Sequence, residues 1–232
     1  MRKKVYLTID DSPNESTIKK VDFLNEKNIE AIFFCRGDYM EKNMEIARYI
    51  VAKGHVIGNH SYSHKHFSDY TIEECRNQII KTDQIIQQIY DLEGKELKNR
   101  YFRYPFGMKA NIPYSSKKIF FRKFSKKFNT VEKTLKELNY KPLKIDNFTK
   151  RYPEKHRNSD TDTFWTFDIA EWKVRDGHKT VQQTLERIDV ELSPERGNEI
   201  LMMHDNNSYH DVFYTVLNHI IQKEIEFLPL PK

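Results

Sequence analysis

Two adjacent carboxylates follow the first hydrophobic run of the chain. Asp10 and Asp11 come directly after residues 5–9 and precede Ser12 and Pro13. Two carboxylates that leave a buried strand repel each other, so a fold keeps both charged only when a cation or a shared proton relieves the pair. A bound metal ion would do this. The alternative for the dipeptide alone is a solvated turn.

Two histidines, His60 and His64, lie four residues apart. On a helical turn, residues at this spacing project from the same face and can bind one ion. Two imidazoles and one carboxylate would leave a zinc-like ion with open positions for water and substrate, which is typical of catalytic sites. The third ligand would be one of the two aspartates, and the other aspartate could act as a base.

Two further residues have suitable chemistry but weaker patterns. Arg103 supplies a permanent cation, and a guanidinium can hold a carboxylate through paired hydrogen bonds. His204 follows the apolar residues 201–203, and an imidazole that titrates near neutral pH can give a proton to a leaving group. The alternatives are an ordinary arginine at a strand end and a histidine of the core.

The elements that must position these residues are predicted from hydrophobic periodicity. Short β-branched and aromatic runs alternate with amphipathic stretches, which predicts an α/β domain of βα units. Every candidate lies in or just after a predicted strand, and the carboxyl ends of parallel strands form the active-site rim of barrels. The predicted strands are residues 5–9, 31–35, 55–59, 101–104, 164–169 and 199–203.

Helix ends are predicted from capping residues. Gly54 is expected in the left-handed conformation that follows a helix. One helix should end there after starting near residue 43, another should close the chain over residues 210–223, and residues 146–162 are predicted as a loop of low order. Helix starts are predicted at Ser16, at the capping boxes Thr71/Glu74 and Thr180/Gln183, and at Asn129 with Glu132.

Composition narrows the class of protein. With 38% apolar and 13% aromatic residues, a folded core is expected rather than disorder. No apolar run reaches the roughly 18 residues of a membrane span. Cys35 and Cys75 are predicted to be buried thiols, since neither has zinc-ribbon spacing. The first residues do not resemble a signal peptide, so a cytoplasmic location is expected, or an extracytoplasmic one if a leader was removed.

The charge is unevenly distributed. Residues 95–157 carry 19 Lys and Arg against 5 Asp and Glu, although the whole chain has a net charge of only +5. This segment could attract an anionic polymer, a phosphate-bearing ligand or a membrane face, or it could be a solvated, lysine-rich insertion. Nucleic acid is not expected as a partner, because Phe120, Phe121, Phe124 and Phe128 are spaced like one packed helix face.

Taken together, five segments resemble motifs of the polysaccharide deacetylase family, the NodB-homology carbohydrate esterases of family 4. Their order along the chain is the family's order, and the second matches closely. They are residues 8–13 (Thr-Ile-Asp-Asp-Ser-Pro), 54–64, 103–107 (Arg-Tyr-Pro-Phe-Gly), 168–172 (Asp-Ile-Ala-Glu-Trp) and 202–204 (Met-Met-His).

The resemblance implies a fold and a cofactor. The fold would be a distorted (β/α) barrel of about seven parallel strands, forming a single catalytic domain over residues 1–232. The long basic segment between the third and fourth motifs would be a helical insertion at about 108–162 that could wall or cover the substrate groove. The cofactor would be a divalent metal, zinc before cobalt, nickel, manganese or iron, bound by Asp11, His60 and His64.

The resemblance also implies catalytic roles. Asp10 would be the general base, oriented by Arg103, and His204 would be the general acid. Glu171 stands where the family usually has Asp before Trp, one methylene shorter, so either Glu171 or Asp168 could orient His204.

The same carry-over predicts how substrate is bound. The amide of Phe106 would help to hold the oxyanion, and Trp172 and Met202 would line the pocket for the acetyl methyl group, with Asp168 beside them. Met202 replaces the usual Leu, which conserves volume. Ser12 replaces the usual Gly in the first motif.

The predicted function is removal of N-acetyl groups from an N-acetylated glycan or amino sugar. Two alternatives stay open: an O-acetyl esterase or a hydrolase of a non-carbohydrate amide on the same scaffold, and a glycan-binding relative without catalysis. The sequence predicts neither the particular glycan nor the oligomeric state.

Overall fold

A parallel sheet forms the centre of the structure, a computed structural model in which residues 2–107, 118–148, 160–207 and 210–231 are described. The strand order is β3-β2-β1-β5-β4, with β6 beside β1, and all of these pairs are parallel. The predicted α/β fold of parallel strands is confirmed. The strands are β1 (Lys4–Ser12), β2 (Ala31–Cys35), β3 (Val56–Asn59), β4 (Phe167–Asp168), β5 (Glu199–His204) and β6 (Glu226–Phe227).

Single-residue bridges continue the sheet beyond β3. Phe102 forms parallel bridges with Asn59 on one side and Asp162 on the other. The predicted strand at 101–104 is therefore an extended segment and not a regular strand, because Pro105 has no N–H for a ladder and Phe106 turns the chain into the left-handed region at φ 58°. The predicted strand at 164–169 is likewise reduced to the two residues of β4.

Helices connect and cover the strands. The capping boxes predicted at Thr71/Glu74 and Thr180/Gln183 are both present, and Gly54 has φ 92°. The described helices are α1 (Thr17–Glu26), α2 (Gly37–Lys42), α3 (Met44–Ala52), α4 (Ile72–Leu92), α5 (Lys118–Glu137), α6 (Trp172–Arg175), α7 (Val181–Glu191) and α8 (His210–Gln222). None of them is both long enough and apolar enough to cross a bilayer.

Two of the helix starts differ from prediction. Ser16 is the N-cap residue of α1, but its side chain makes no capping hydrogen bond. The prediction that a helix begins at Asn129 is wrong, because α5 begins at Lys118. Glu132 does not cap a helix; its carboxylate instead accepts hydrogen bonds from the hydroxyls of Tyr104 and Thr161. A helix in the basic segment is confirmed.

The core lies on both faces of the sheet. All five residues of β2 are buried, as expected for a central parallel strand. Both cysteines are buried free thiols, as predicted. A second apolar cluster joins α4 and α5 to the Phe102 segment and includes Phe67, Tyr104 and Val131. This cluster attaches the helix of the basic segment to Phe67, three residues after His64, and to the two neighbours of Arg103. Residues 149–159 of the predicted loop lie outside the described part.

A buried ion pair joins α1 to the end of β5. The Lys20 ammonium lies 2.5 Å from Asp205, the residue after His204, and both side chains are fully buried. The hydroxyl of Thr17 also donates to the Asp205 carboxylate. Because α1 follows β1 directly, this pair fixes the carboxyl ends of β1 and β5 side by side.

Replacing Lys20 by Met is expected to lower the free energy of unfolding by about 3–5 kcal/mol, because it leaves the Asp205 charge buried without its partner. Urea unfolding measures the change. Arg2→Met is the matched control: Arg2 and Glu224 lie 3.9 Å apart with side chains 70% and 79% exposed, so a change within about 0.5 kcal/mol is expected. A loss below about 1 kcal/mol in Lys20→Met would contradict this account.

Candidate metal centre and active site

The two aspartates lie where β1 reaches the rim of the sheet. Asp10 pairs in register with His204 of β5, so the first and last strands of the site meet there. The register shifts between Asp10 and Ser12, and Asp11 lies in the left-handed region at φ 64°. Successive side chains of a regular strand point to opposite faces. The irregular backbone instead places both carboxylates beside His60.

Both histidines lie in the loop that follows β3. The Nε2 atoms of His60 and His64 are 3.9 Å and 3.3 Å from Oδ1 of Asp11, and the two rings are 4.7 Å apart. The expectation of a helical turn is wrong. Ser61 and His64 adopt φ values of 63° and 52°, and these left-handed residues fold the loop so that the imidazoles converge.

The donor set of Asp11, His60 and His64 fits a divalent ion. One ligand atom from each residue lies within 4.8 Å of the others. Oδ1 of Asp11 is buried and has no hydrogen-bond partner among the described residues. Nδ1 of His60 lies 2.9 Å from the carbonyl of Arg103, so this nitrogen carries the proton and Nε2 offers its lone pair to the site.

The protonation state of His60 also suits metal binding. Burial, followed by the neighbouring His64, lowers the pKa of His60 to about 3. The ring is therefore neutral at neutral pH, which is the form that binds metal.

Arg103 holds the second aspartate. Its guanidinium is 1% exposed and donates from Nη1 to Oδ1 of Asp10 at 2.6 Å and to the hydroxyl of Thr8 at 2.8 Å. Nε donates to the carbonyl of Thr163 at 3.0 Å, and the ring of Phe34 lies 4.1 Å beneath. The other carboxylate oxygen of Asp10 is 3.7 Å from Nε2 of His60. Asp10 is thus fixed beside the donor set with its charge balanced.

His204 faces this group from β5 and contacts Glu171. Nδ1 of His204 lies 3.1 Å from Oε1 of Glu171, and the backbone N–H of His204 donates to the same oxygen. Burial lowers the pKa of His204, but the charge and hydrogen bond of Glu171, with the charges of Asp10 and Asp11, raise it to about 10 overall. The imidazole is therefore a cation at neutral pH.

Asp168 lies close to the same pair but bonds elsewhere. Its Oδ1 accepts the backbone N–H of Ala170 at 2.7 Å. Burial and then the charge of Glu171 raise the pKa of Asp168. Of the two acids that sequence analysis left open as the partner of His204, Glu171 makes the direct contact.

The two aspartates, the two loop histidines, Asp168 and His204 line one cavity of about 480 Å³. Arg103 and Glu171 lie behind its wall. The side chain of Phe106, 52% exposed, lies at the cavity and stacks on His66 at 4.0 Å. Three of the lining residues are not named in the sequence analysis: Trp165, Arg175 and Asn206. Gly107 appears there only as the last residue of the third motif. Trp172 and Met202 complete the wall.

The packing of Trp165 against Gly107 explains why the third motif ends in glycine. Gly107 has φ 64°, and a Cβ there would lie 2.1 Å from the Trp165 ring. Glycine is therefore required by the indole that packs against it. Trp165 could not be recognised from the sequence, since aromatic residues are common in strands of any function.

Comparisons with known proteins agree with the first three motifs. The family model described as polysaccharide deacetylase matches residues 1–120, which contain the first three motifs. A peptidoglycan-N-acetylglucosamine deacetylase of Bacillus cereus is 41% identical over 105 residues, covering 45% of this chain and 36% of the relative. A peptidoglycan-N-acetylmuramic acid deacetylase of Bacillus subtilis is 29% identical over 107 residues, covering 46% and 39%. The matches thus span little more than a third of these relatives.

Solved structures extend the fold comparison to the whole chain. A peptidoglycan N-acetylglucosamine deacetylase superposes with a TM-score of 0.63 at 22% identity, covering 98% of this chain and 86% of the other. A pseudoenzyme of carbohydrate esterase family 4 from Bacillus anthracis superposes with a TM-score of 0.64 at 19% identity, covering 97% and 63%. The fold is therefore the distorted (β/α) barrel of these proteins, and by its match over residues 1–120 the chain belongs to the polysaccharide deacetylase family.

Proposed function

We propose that this protein is a metal-dependent hydrolase that removes N-acetyl groups from an N-acetylated glycan or amino sugar. One observation carries the proposal. A converging Asp11, His60 and His64 set lies beside an aspartate held by a buried arginine and opposite a cationic histidine. These are the groups that hydrolysis of an unreactive amide needs: a site for a Lewis acid, a base and an acid.

The three proposed metal ligands and Asp10 together activate the attacking water. A divalent ion bound by the three ligands would lower the pKa of a coordinated water toward about 7 and polarise the acetyl carbonyl. Asp10 accepts the proton of the attacking water. Arg103 orients the Asp10 carboxylate through the hydrogen bond from Nη1, and its guanidinium is too buried to move away.

His204, at the end of β5, protonates the leaving amine. An amine leaves poorly as an anion, so His204 gives it a proton as the C–N bond breaks. Glu171 keeps His204 protonated and fixes its ring through the Nδ1 contact. The backbone N–H of Phe106 helps to hold the oxyanion, and removing one such donor typically costs roughly 100-fold or more in rate. Trp172 and Met202 enclose the acetyl methyl group. The products are acetate and a free amino sugar.

Peptidoglycan is named as the substrate of the relatives from Bacillus cereus and Bacillus subtilis. This supports an N-acetylated glycan as the substrate class of the present chain. The cytoplasmic location expected from the sequence stays a prediction.

Metal analysis combined with acetate release tests the proposal. We expect about one divalent ion per chain, and metal-dependent acetate release from N-acetylglucosamine oligomers or peptidoglycan fragments. Acetylated xylan is the comparison substrate, and release from xylan alone would favour the O-acetyl esterase. Glycan binding without metal or turnover would favour an inactive relative.

The partner of His204 is tested by Glu171→Gln. Because Glu171 raises the pKa of His204, removing its charge should let His204 lose its proton at lower pH. We expect the alkaline limb of the kcat/KM profile to move down by more than about one pH unit, so that activity at pH 9 falls at least about 2-fold relative to activity at pH 6. Glu171→Asp keeps the charge and should retain the limb. An unmoved limb in Glu171→Gln would refute the assignment.

A further inference from the structure

A buried lysine of α5 is bound entirely by main-chain carbonyls of the loop that follows the two histidines. Lys127 is 8% exposed, and its ammonium donates to the carbonyls of Phe67 and Ser68, both at 3.1 Å, and to the carbonyl of Tyr70. An ammonium has three donors, so its hydrogen-bonding capacity is filled. Burying a charge in this way is costly unless every donor is satisfied.

The same loop is tied directly to the residue before His64. The hydroxyl of Tyr70 lies 2.5 Å from the hydroxyl of Ser63, and the backbone N–H of Ser63 donates to Gln78 of α4 at 2.8 Å. Tyr70 therefore connects Lys127, through its carbonyl, to Ser63, through its hydroxyl. A short chain of contacts runs from α5 to His64.

A second contact joins α5 to the third motif. Glu132 accepts a hydrogen bond from the hydroxyl of Tyr104 at 3.2 Å, and Tyr104 is the neighbour of Arg103. The rings of Phe67 and Tyr104 also meet edge to face at 5.3 Å. Helix α5 thus contacts the chain three to six residues after His64, a proposed metal ligand, and at the residue next to the arginine that holds Asp10.

We propose that Lys127 is a positioning residue for His64, and that α5 is a brace of the metal centre. The inference rests on the proposed function, which makes His64 a metal ligand. It goes beyond that function by assigning a structural role to α5, the helix of the basic segment. Carbonyls of residues 67, 68 and 70 that point to one spot repel each other unless a cation lies between them. Without the ammonium the loop relaxes, and the left-handed backbone of His64, at φ 52°, loses its support.

Two measurements on Lys127→Met test this, with the adjacent exposed Lys126→Met as the matched control. The first is hydrogen exchange in the metal-free protein, read by mass spectrometry. We expect exchange over residues 63–70 to accelerate at least about 10-fold while exchange of β1 is unchanged, as for opening of a local unit. The second is zinc affinity by competition with a chromophoric chelator, expected to weaken about 10- to 100-fold, as for other supports of a ligand.

Each outcome decides the proposal. Lys126→Met should change neither quantity, and Lys127→Arg should recover part of both. The proposal fails if Lys127→Met behaves like the control, or if β1 exchanges faster to the same degree, which would indicate general destabilisation. If Lys127→Met is not obtained folded, Lys127→Gln and Lys127→Arg carry the same measurements, and unchanged exchange in both overturns the proposal. A wild-type protein without zinc binding would refute the proposed function, while exchange in the metal-free protein still decides the role of Lys127.

Discussion

Asp10→Asn is expected to lower kcat/KM about 1,000-fold while the bound metal stays at the wild-type level. The side chain keeps its shape but can no longer accept a proton, and a positioned general base typically contributes about 100- to 10,000-fold. The neutral amide can still accept a hydrogen bond from Arg103 at the place where the carboxylate does now. Acetate release measures activity, and elemental analysis measures metal in the same samples.

The control for Asp10→Asn is Asp22→Asn on α1. Asp22 is an exposed carboxylate that accepts a hydrogen bond from Tyr49, so its neutralisation should leave both activity and metal unchanged. Loss of metal together with activity in Asp10→Asn would mean that Asp10 is the ligand and Asp11 the base. Retained activity would show that another group removes the proton.

His60→Ala is expected to remove both metal and activity. His60 is 2% exposed, its ring is oriented by the carbonyl of Arg103, and its Nε2 faces Asp11. Removing an outer partner of a metal ligand typically costs about 10- to 100-fold in affinity, so loss of the ligand itself should exceed about 100-fold. Zinc competition with a chelator and elemental analysis measure this.

His178→Ala is the matched control, because His178 is an exposed histidine outside the site. It should bind metal like the wild type. His60→Ala also leaves a cavity in the core, so near-UV circular dichroism should show that the variant is folded before its metal is counted. Unchanged metal stoichiometry in folded His60→Ala would remove His60 from the ligand set.

Much of the fold could be predicted because its signals are local. The apolar runs that became β1, β2, β3 and β5 are short and buried, and the capping boxes of α4 and α7 depend on residues only three apart. The short helix α2 was missed because its six residues are too few to show a helical period. The start of α5 was placed too late because Asn129 and Glu132 have the spacing of a capping pair inside a continuous helix.

Most residues that line the site could be named from the sequence, but their geometry could not be predicted. His60 and His64 were expected on a helical turn, whereas left-handed residues in a loop bring them together. The choice between Glu171 and Asp168 as the partner of His204 depended on one methylene and on the direction of the chain after β4. Backbone conformations and side-chain contacts of this kind cannot be predicted from the pattern of residue types.

Residue types and their positions relative to the predicted strands are enough to predict which chemical groups the site contains and at which end of the sheet they lie. The strands and their order along the chain follow from short apolar runs separated by amphipathic stretches, and the carboxyl ends of parallel strands share one rim. The contacts between these side chains depend instead on how distant parts of the chain pack together. Asp10 meets Arg103 from 93 residues away, and Lys127 meets Tyr70 from 57 residues away. These contacts depend on the packing of separate elements and on a few left-handed backbone positions, which local sequence patterns do not encode.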